Sequence, residues 1–536
     1  MKSFAFALML TASFLFVACG GGNPTPPPPA NYTIGGTVTG LSGTGLVLQD
    51  NGGNNLAVSA NGSFTFTTAI ANGGAYKVTV LSQPSGPAQT CAVTGGSGTA
   101  SANVIRIQIA CTTNSTANEW TWMSGSVFTN QAGTYGTLDM PAPGNVPGAR
   151  LSAASWTDTS GSFWLFGGFG LFNASPALFN DLWKYSAGEW TWMGGQNTPS
   201  QRGTYGTQGT PAPSNVPGAR YLTTSSTDAA GNFWLFGGSG VDSVGASGGS
   251  LNDLWEFSAD DWTWVSGSDI QNQTGTYGTK GTPSSSNVPG ARTNAVSWID
   301  AAGNFWLFGG VFGVPQTYFN DLWKYSAGQW TWMSGSNLGD QSGTYGIQGT
   351  PAPNNVPGAR AYAVRWTDAA GNFWLFGGFG YDSTGTLGDL NDLWKYSGGQ
   401  WTWMSGSNVA NQPSSYGTLG TAAPSNVPGG RQGSVSWIDS AGNFWLFGGT
   451  PQAGGDFGDL WKYSAGEWTW MSGSNIVPQY GVYGTLGAPA PNNVPGGRKL
   501  SVSWIDASGN LWLFGGSGYP SAGAPDSLND VWKYQP

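Results

Sequence analysis

Four short phrases recur six times each between residues 119 and 536, and this repeat constrains the fold more than any other feature of the chain. Asn-Val-Pro-Gly-(Ala/Gly)-Arg ends at Arg150, Arg220, Arg292, Arg360, Arg431 and Arg498. Trp-Leu-Phe-Gly-Gly begins at Trp164, Trp234, Trp306, Trp374, Trp445 and Trp512. Asp-(Leu/Val)-Trp places its indole at Trp183, Trp255, Trp323, Trp394, Trp461 and Trp532. Trp-Thr-Trp opens at Trp120, Trp190, Trp262, Trp330, Trp401 and Trp468, and the period is 67 to 72 residues.

Each phrase has the chemistry of a strand. Phe163 to Phe166 are residues that favour a pleated, buried surface, and glycines end the run. Trp120 and Trp122 stand two apart, which puts both indoles on one face with Thr121 on the other. The links Asp158 to Ser162 and Ser186 to Gly188, with their counterparts, are short enough for hairpins. Four antiparallel strands repeated six times predict an all-β unit, a six-bladed β-propeller, which hides most of its sheet edges. The repeat starts on its fourth phrase and stops after its third. Residues 119–125 are therefore expected to complete the sheet formed by 498–534 and close the ring.

The double glycine (Gly167-Gly168 and five counterparts) and a Tyr followed closely by Trp (Tyr185 and Trp190) resemble the kelch pattern. The second copy departs from it with Phe257 in place of Tyr. The resemblance covers 119–536 and extends to the central propeller of galactose oxidase. These repeats exceed the roughly 50 residues usual for kelch, and most of the surplus lies in one loop, such as 126–149.

Ahead of the repeat, 32–113 contains no Trp, whereas all 29 Trp lie after residue 119. Alternating runs at Tyr32 to Thr39, Leu46 to Gln49, Ser63 to Thr67, Tyr76 to Leu81 and Val104 to Ile109 predict a small β-sandwich. It is similar to the Ig-like or carboxypeptidase-regulatory-like spacers of bacterial surface proteins. Cys91 and Cys111, the only cysteines besides Cys19, are expected to form a disulfide.

Residues 1–19 read as an export signal, with Lys2 before an apolar stretch too short to span a bilayer comfortably. Phe16-Val17-Ala18-Cys19 resembles a lipoprotein lipobox, with Phe16 where Leu is usual, and implies lipidation of Cys19. The Gly- and Pro-rich stretch 20–31 then acts as a linker. An exported chain anchored by lipid alone, at the outer membrane or cell surface, is the expected localisation.

The chain contains no histidine. That excludes galactose oxidase-type copper chemistry, Ser-His-Asp nucleophiles and the usual zinc hydrolase sites. No metal or other cofactor is expected. A net charge of −9 excludes a nucleic-acid surface. Asp158 to Trp164 resembles a sialidase Asp box only weakly and reads as a hairpin turn in all six copies. The tryptophans recur at fixed strand positions, apart from Ser226, which replaces one of them, and read as packing between sheets.

The copies differ on one face. The loops between second and third strands (169–180, 239–252, 311–320, 379–391, 450–458 and 517–529) vary, as do the two residues after each Arg. Binding surfaces are commonly built from such loops on a rigid scaffold. Candidate ligand-binding residues are therefore Arg150, Arg220, Arg292, Arg360, Arg431, Arg498, Tyr221, Tyr362 and Asp382. For the arginines the competing reading is a pairing with a carbonyl or with the Asp of a neighbouring Asp-Leu-Trp phrase. The expected function is non-catalytic binding of a protein or glycan by a monomer. The alternatives are a polysaccharide lyase or glycosidase using Tyr and carboxylates, with Asp382 and Asp389 as candidate acids, and a structural envelope component.

Overall fold

A computed structural model of the protein describes residues 30–84, 89–113 and 117–536, and among these every regular element is a β-strand. The signal segment, Cys19 and most of the 20–31 linker lie outside the described residues. The chain divides into two compact units, Met1–Ser115 and Thr116–Pro536.

The first unit contains two four-stranded sheets around one core. One runs Gly62–Thr65, Ile34–Thr39, Val104–Thr113, Gln89–Thr94, and the other Asn54–Val58, Leu46–Asp50, Ala75–Ser82, Ser97–Thr99. Alternation fills the shared core with Ile34, Val38, Leu46, Leu48, Tyr76, Ile107 and Ile109. Cys91 and Cys111 are directly opposed across an antiparallel pair and form a disulfide. Val104–Thr113 pairs in parallel with Ile34–Thr39, a register that local patterning does not announce.

Among the described residues the second unit has six antiparallel sheets of four or five strands, one for each repeat, and a two-stranded ribbon, Val311–Phe312 with Thr317–Tyr318. In the first, Ala154–Thr157, Phe163–Phe172, Ser175–Ser186 and Glu189–Gly194 lie side by side in chain order. The sixth is completed from the other end of the unit: Glu119–Ser124 pairs antiparallel with Asp526–Gln535, Trp120 opposite Tyr534 and Trp122 opposite Trp532. Consecutive innermost strands pack on one another, and the last, Val502–Ile505, packs on the first, Ala154–Thr157. The sheets therefore form a closed circle, an arrangement compatible with a β-propeller.

Aromatic clusters sit at each junction between sheets. Phe163, Leu165 and Trp183 of the first sheet meet Trp504, Phe514 and Val531 of the sixth, with Phe163 and Trp504 stacked 3.8 Å apart. Equivalent clusters join every other neighbouring pair. The Asp-Leu-Trp indoles are fully buried at Trp183, Trp255, Trp323, Trp394, Trp461 and Trp532. Burying a large aromatic contributes about 2–3 kcal/mol before entropy is counted, so these junctions dominate the cohesion of the circle. The double glycine has a steric reason at the same place. Gly167 has φ 66°, and a Cβ there would lie 2.7 Å from the carbonyl oxygen of Arg220 in the next sheet.

Candidate binding site at the axial mouth

The Asn-Val-Pro-Gly phrase places each Arg a few residues ahead of the innermost strand of its sheet. The structure places all six arginines in the interior, not on the rim, each about 1% exposed. Arg150 donates from Nε to the Gly148 carbonyl (3.0 Å) and from Nη1 to that of Gly167 (2.9 Å). Nη1 and Nη2 also grip Asp181 Oδ1 and Oδ2 at 2.6 and 2.8 Å. Trp183 Nε1 and the Tyr135 hydroxyl both donate to Asp181 Oδ2 at 2.7 Å. The same node recurs at Arg220–Asp253, Arg292–Asp321, Arg360–Asp392, Arg431–Asp459 and Arg498–Asp530. Burial and then the adjacent carboxylate raise the Tyr135 phenol far above its ordinary value, which keeps it a neutral donor. A forked cation saturated by a forked anion and two carbonyls has little left for a ligand, so the arginines are withdrawn from the candidate surface.

The opposite end of each first strand is equally fixed. Asp158 accepts the N–H groups of Ser160 and Ser162 at 2.9 Å each, and Trp164 Nε1 at 2.9 Å. Burial pushes its carboxyl up, but hydrogen bonds from Ser160 and Trp164 outweigh that and hold it below the ordinary value. Asp228, Asp300, Asp368, Asp439 and Asp506 repeat this turn.

Two residues beyond each Arg, the chain does something regular that the sequence hides. Ser152, Leu222, Asn294, Tyr362, Gly433 and Leu500 all adopt left-handed backbone, with φ between 53° and 67°. Their amides close a circle. Ser152 N–H donates to the Leu500 carbonyl (2.8 Å), Leu222 to Ser152 (3.2 Å) and Asn294 to Leu222 (2.9 Å). Tyr362 donates to Asn294 (3.1 Å), Gly433 to Tyr362 (3.1 Å) and Leu500 to Gly433 (2.7 Å). The six ring members, each with the residue that follows it, line a cavity of about 150 Å³.

The rim of that mouth is asymmetric. The Tyr221 ring packs against Phe169 at 5.4 Å, the two planes tilted by 35°, and Tyr318 lies 5.8 Å from Phe379 and 6.2 Å from Tyr381. Burial raises the Tyr362 phenol, and Tyr221 adds to the shift across the axis. The two predicted tyrosines belong to the second and fourth copies. On the fifth and sixth sheets the rim is polar. Lys499 pairs with Asp456 at 3.4 Å, and Gln432 Nε2 donates to Asp389 Oδ1 at 3.2 Å.

Asp382 does not reach the rim. It is fully buried and organises its own loop, accepting the N–H groups of Thr384 (2.7 Å), Thr386 (2.9 Å) and Ala410 (3.0 Å). Asp242 does the same in the second copy. Asp389 differs. It borders a cleft of about 460 Å³ with Pro413, Pro451 and Phe457, and burial pushes its carboxyl up to about 6. A cavity of about 660 Å³ lies between the first two sheets, and most of its lining (Trp164, Phe166, Asn215, Trp262) recurs in every copy.

Sequence reasoning missed the six tyrosines of the Arg–Asp nodes, although a Tyr-Gly pair recurs in every long loop, at Tyr135, Tyr205, Tyr277, Tyr345, Tyr416 and Tyr483. It also missed the left-handed ring, because only one of the six positions is glycine. No protein-family model and no curated sequence matches the chain. Among solved structures it is similar to one titled "Structure of YjhT", at 14% identity and a TM-score of 0.42, covering 76% of this chain and 96% of that one.

Proposed function

We propose that residues 119–536 form a six-bladed kelch-type β-propeller that binds a protein or glycan at the axial mouth, on an exported chain held by lipid at Cys19. The observation that carries this reading is the asymmetry of the rim. Six nearly identical sheets carry different residues at the positions flanking the ring: Leu151, Tyr221, Thr293, Ala361, Gln432 and Lys499. Packing cannot require that variety, because the junctions beneath are repeated. Aromatic groups on one side and hydrogen-bonding or charged groups on the other suit a partner with an apolar face and polar edges, such as a sugar ring or a protein loop.

Glycan and cell-surface protein arrays probed with the purified protein test the reading. Replacing loops 239–252 and 379–391 by short Gly-Ser links abolishes binding, whereas exchanging the turn at 186–188 leaves affinity within a few tenths of a kcal/mol. Binding that survives the loop exchange but not the turn exchange places the site on the other face. Retention of the Cys19→Ala protein in the membrane fraction rejects the anchor. Asp389 supports a second reading, acid catalysis on a polysaccharide, because a carboxyl raised toward neutrality beside a cleft is suited to proton donation. Turnover of a polysaccharide that is lost in Asp389→Asn favours that alternative.

A further inference from the structure

One inner-strand position breaks the repeat. One residue before the inner-strand Trp, or before Ser226 in the second copy, stand Ser155, Ser225, Ser297, Ser436 and Ser503, whereas the fourth copy has Arg365. These residues lie deeper along the axis than the hydrogen-bonded ring, three positions after its members. Their small side chains bind locally between neighbouring sheets. Ser225 Oγ donates to the Ser155 carbonyl (3.1 Å), Ser436 Oγ to that of Arg365 (3.2 Å) and Ser503 Oγ to that of Ser436 (3.1 Å). Arg365 instead reaches past the third sheet, and its Nη2 donates to the Ser225 carbonyl of the second. A side chain that joins two non-adjacent sheets of a closed circle has to cross the axial channel.

This guanidinium is a cation without a counter-ion. Among the described residues no carboxylate lies within ion-pairing distance of it, whereas all six repeat arginines are paired. Its one described side-chain partner is a neutral carbonyl, which occupies one of its five N–H donors. The nearest acid along its own strand, Asp368, is held by Asn372 and Trp374 Nε1. Burial pushes the Arg365 guanidinium down to about 10, still charged at neutral pH. Its side chain nevertheless remains partly accessible, as do Ser155, Ser225, Ser436 and Ser503, so the channel admits solvent-sized species beside it. Nearer the mouth, Ser152 Oγ and Thr223 Oγ1 are buried with no partner among the described residues. A partly desolvated charge without a counter-ion is costly, and so is an unmet buried hydroxyl.

We propose that the axial channel binds one compact inorganic anion, of the size of chloride or sulfate, on the free N–H groups of the Arg365 guanidinium. This supplies the charge the protein lacks at that point, and the serine positions are small enough to leave room for it. The site is independent of the ligand at the mouth.

The test is equilibrium dialysis of the full protein against labelled sulfate, with chloride and phosphate as competitors, at fixed ionic strength in a bulky organic-anion buffer. The expected result is saturable binding of one anion per chain, with a melting midpoint that rises along the same saturation curve. Arg365→Ser installs the residue the other five copies already use, so the fold is retained while binding disappears. Arg365→Lys keeps the charge but not the planar fork, and weakens binding about tenfold or more. Absence of saturable binding of all three anions to the wild-type protein overturns the proposal. So does equal binding by Arg365→Ser, which would place the anion elsewhere.

Discussion

Arg150 and Asp181 meet through two parallel hydrogen bonds, Nη1 to Oδ1 at 2.6 Å and Nη2 to Oδ2 at 2.8 Å, in a space closed to solvent. Removing either partner leaves the other charged and unpaired in the interior, a loss of about 3–5 kcal/mol for a buried pair. Arg360→Met and Asp392→Asn should each lower the urea midpoint by a corresponding amount, with ligand affinity of the folded fraction unchanged. A drop in affinity without a drop in stability would return the arginines to the binding surface.

Leu222 carries a positive φ of 57° in the ring, where the third sheet has Asn294 at 54°. Left-handed backbone costs an ordinary residue about 1–2 kcal/mol, and less for Asn. Leu222→Asn should therefore raise stability by about 0.5–1 kcal/mol in thermal unfolding. If stability falls instead, the Leu222 side chain contributes more at the mouth than its backbone costs.

Asp389 gives the protein a pH dependence of defined sign. Folding raises its carboxyl from 3.8 to about 6, so the native state holds the proton more tightly than the unfolded chain. Its contribution to stability is therefore greatest below the ordinary value and declines as pH rises through about 6, by on the order of 2–3 kcal/mol. Asp389→Asn should remove that slope and be the more stable form at pH 7. Superimposable wild-type and variant stability profiles between pH 4 and 7 would show that the carboxyl is not shifted.

The strand Glu119–Ser124 holds the sixth sheet's outer edge, and Trp120 is buried there 5.4 Å from Phe447 and 5.0 Å from Tyr534. Deleting 119–125 exposes the edge of Asp526–Gln535 and removes this anchor. Aggregation, or a cooperative fall in melting midpoint, is the expected outcome. Trp120→Ala is the milder version, costing about 3–5 kcal/mol.

Much of this architecture is legible in the residues because the repeat states it six times. Strand order, the closure by 119–125 and the burial of the Asp-Leu-Trp indoles follow from spacing alone. The Arg–Asp pairing was visible as one of two readings, and distance decided it. What spacing cannot convey is backbone handedness. Ser152, Leu222, Asn294, Tyr362 and Leu500 share no chemistry, yet neighbouring sheets hold all of them in one conformation. Arg365 was hidden differently, since nothing in Val-Arg-Trp says that the side chain crosses an axis. The Asp382 loop failed as a site for a related reason: its carboxylate is saturated by amides that only the folded loop assembles.

The closing strand has a mechanical consequence. Asn118 N–H donates to the Gln535 carbonyl at 2.6 Å, so both ends of the circular unit emerge side by side. A pull on residue 117 transmits its load through that strand. Tension along the strand loads its five residue pairs together, whereas tension across it peels them singly. The resistance of the unit to force thus depends on the direction from which it is pulled.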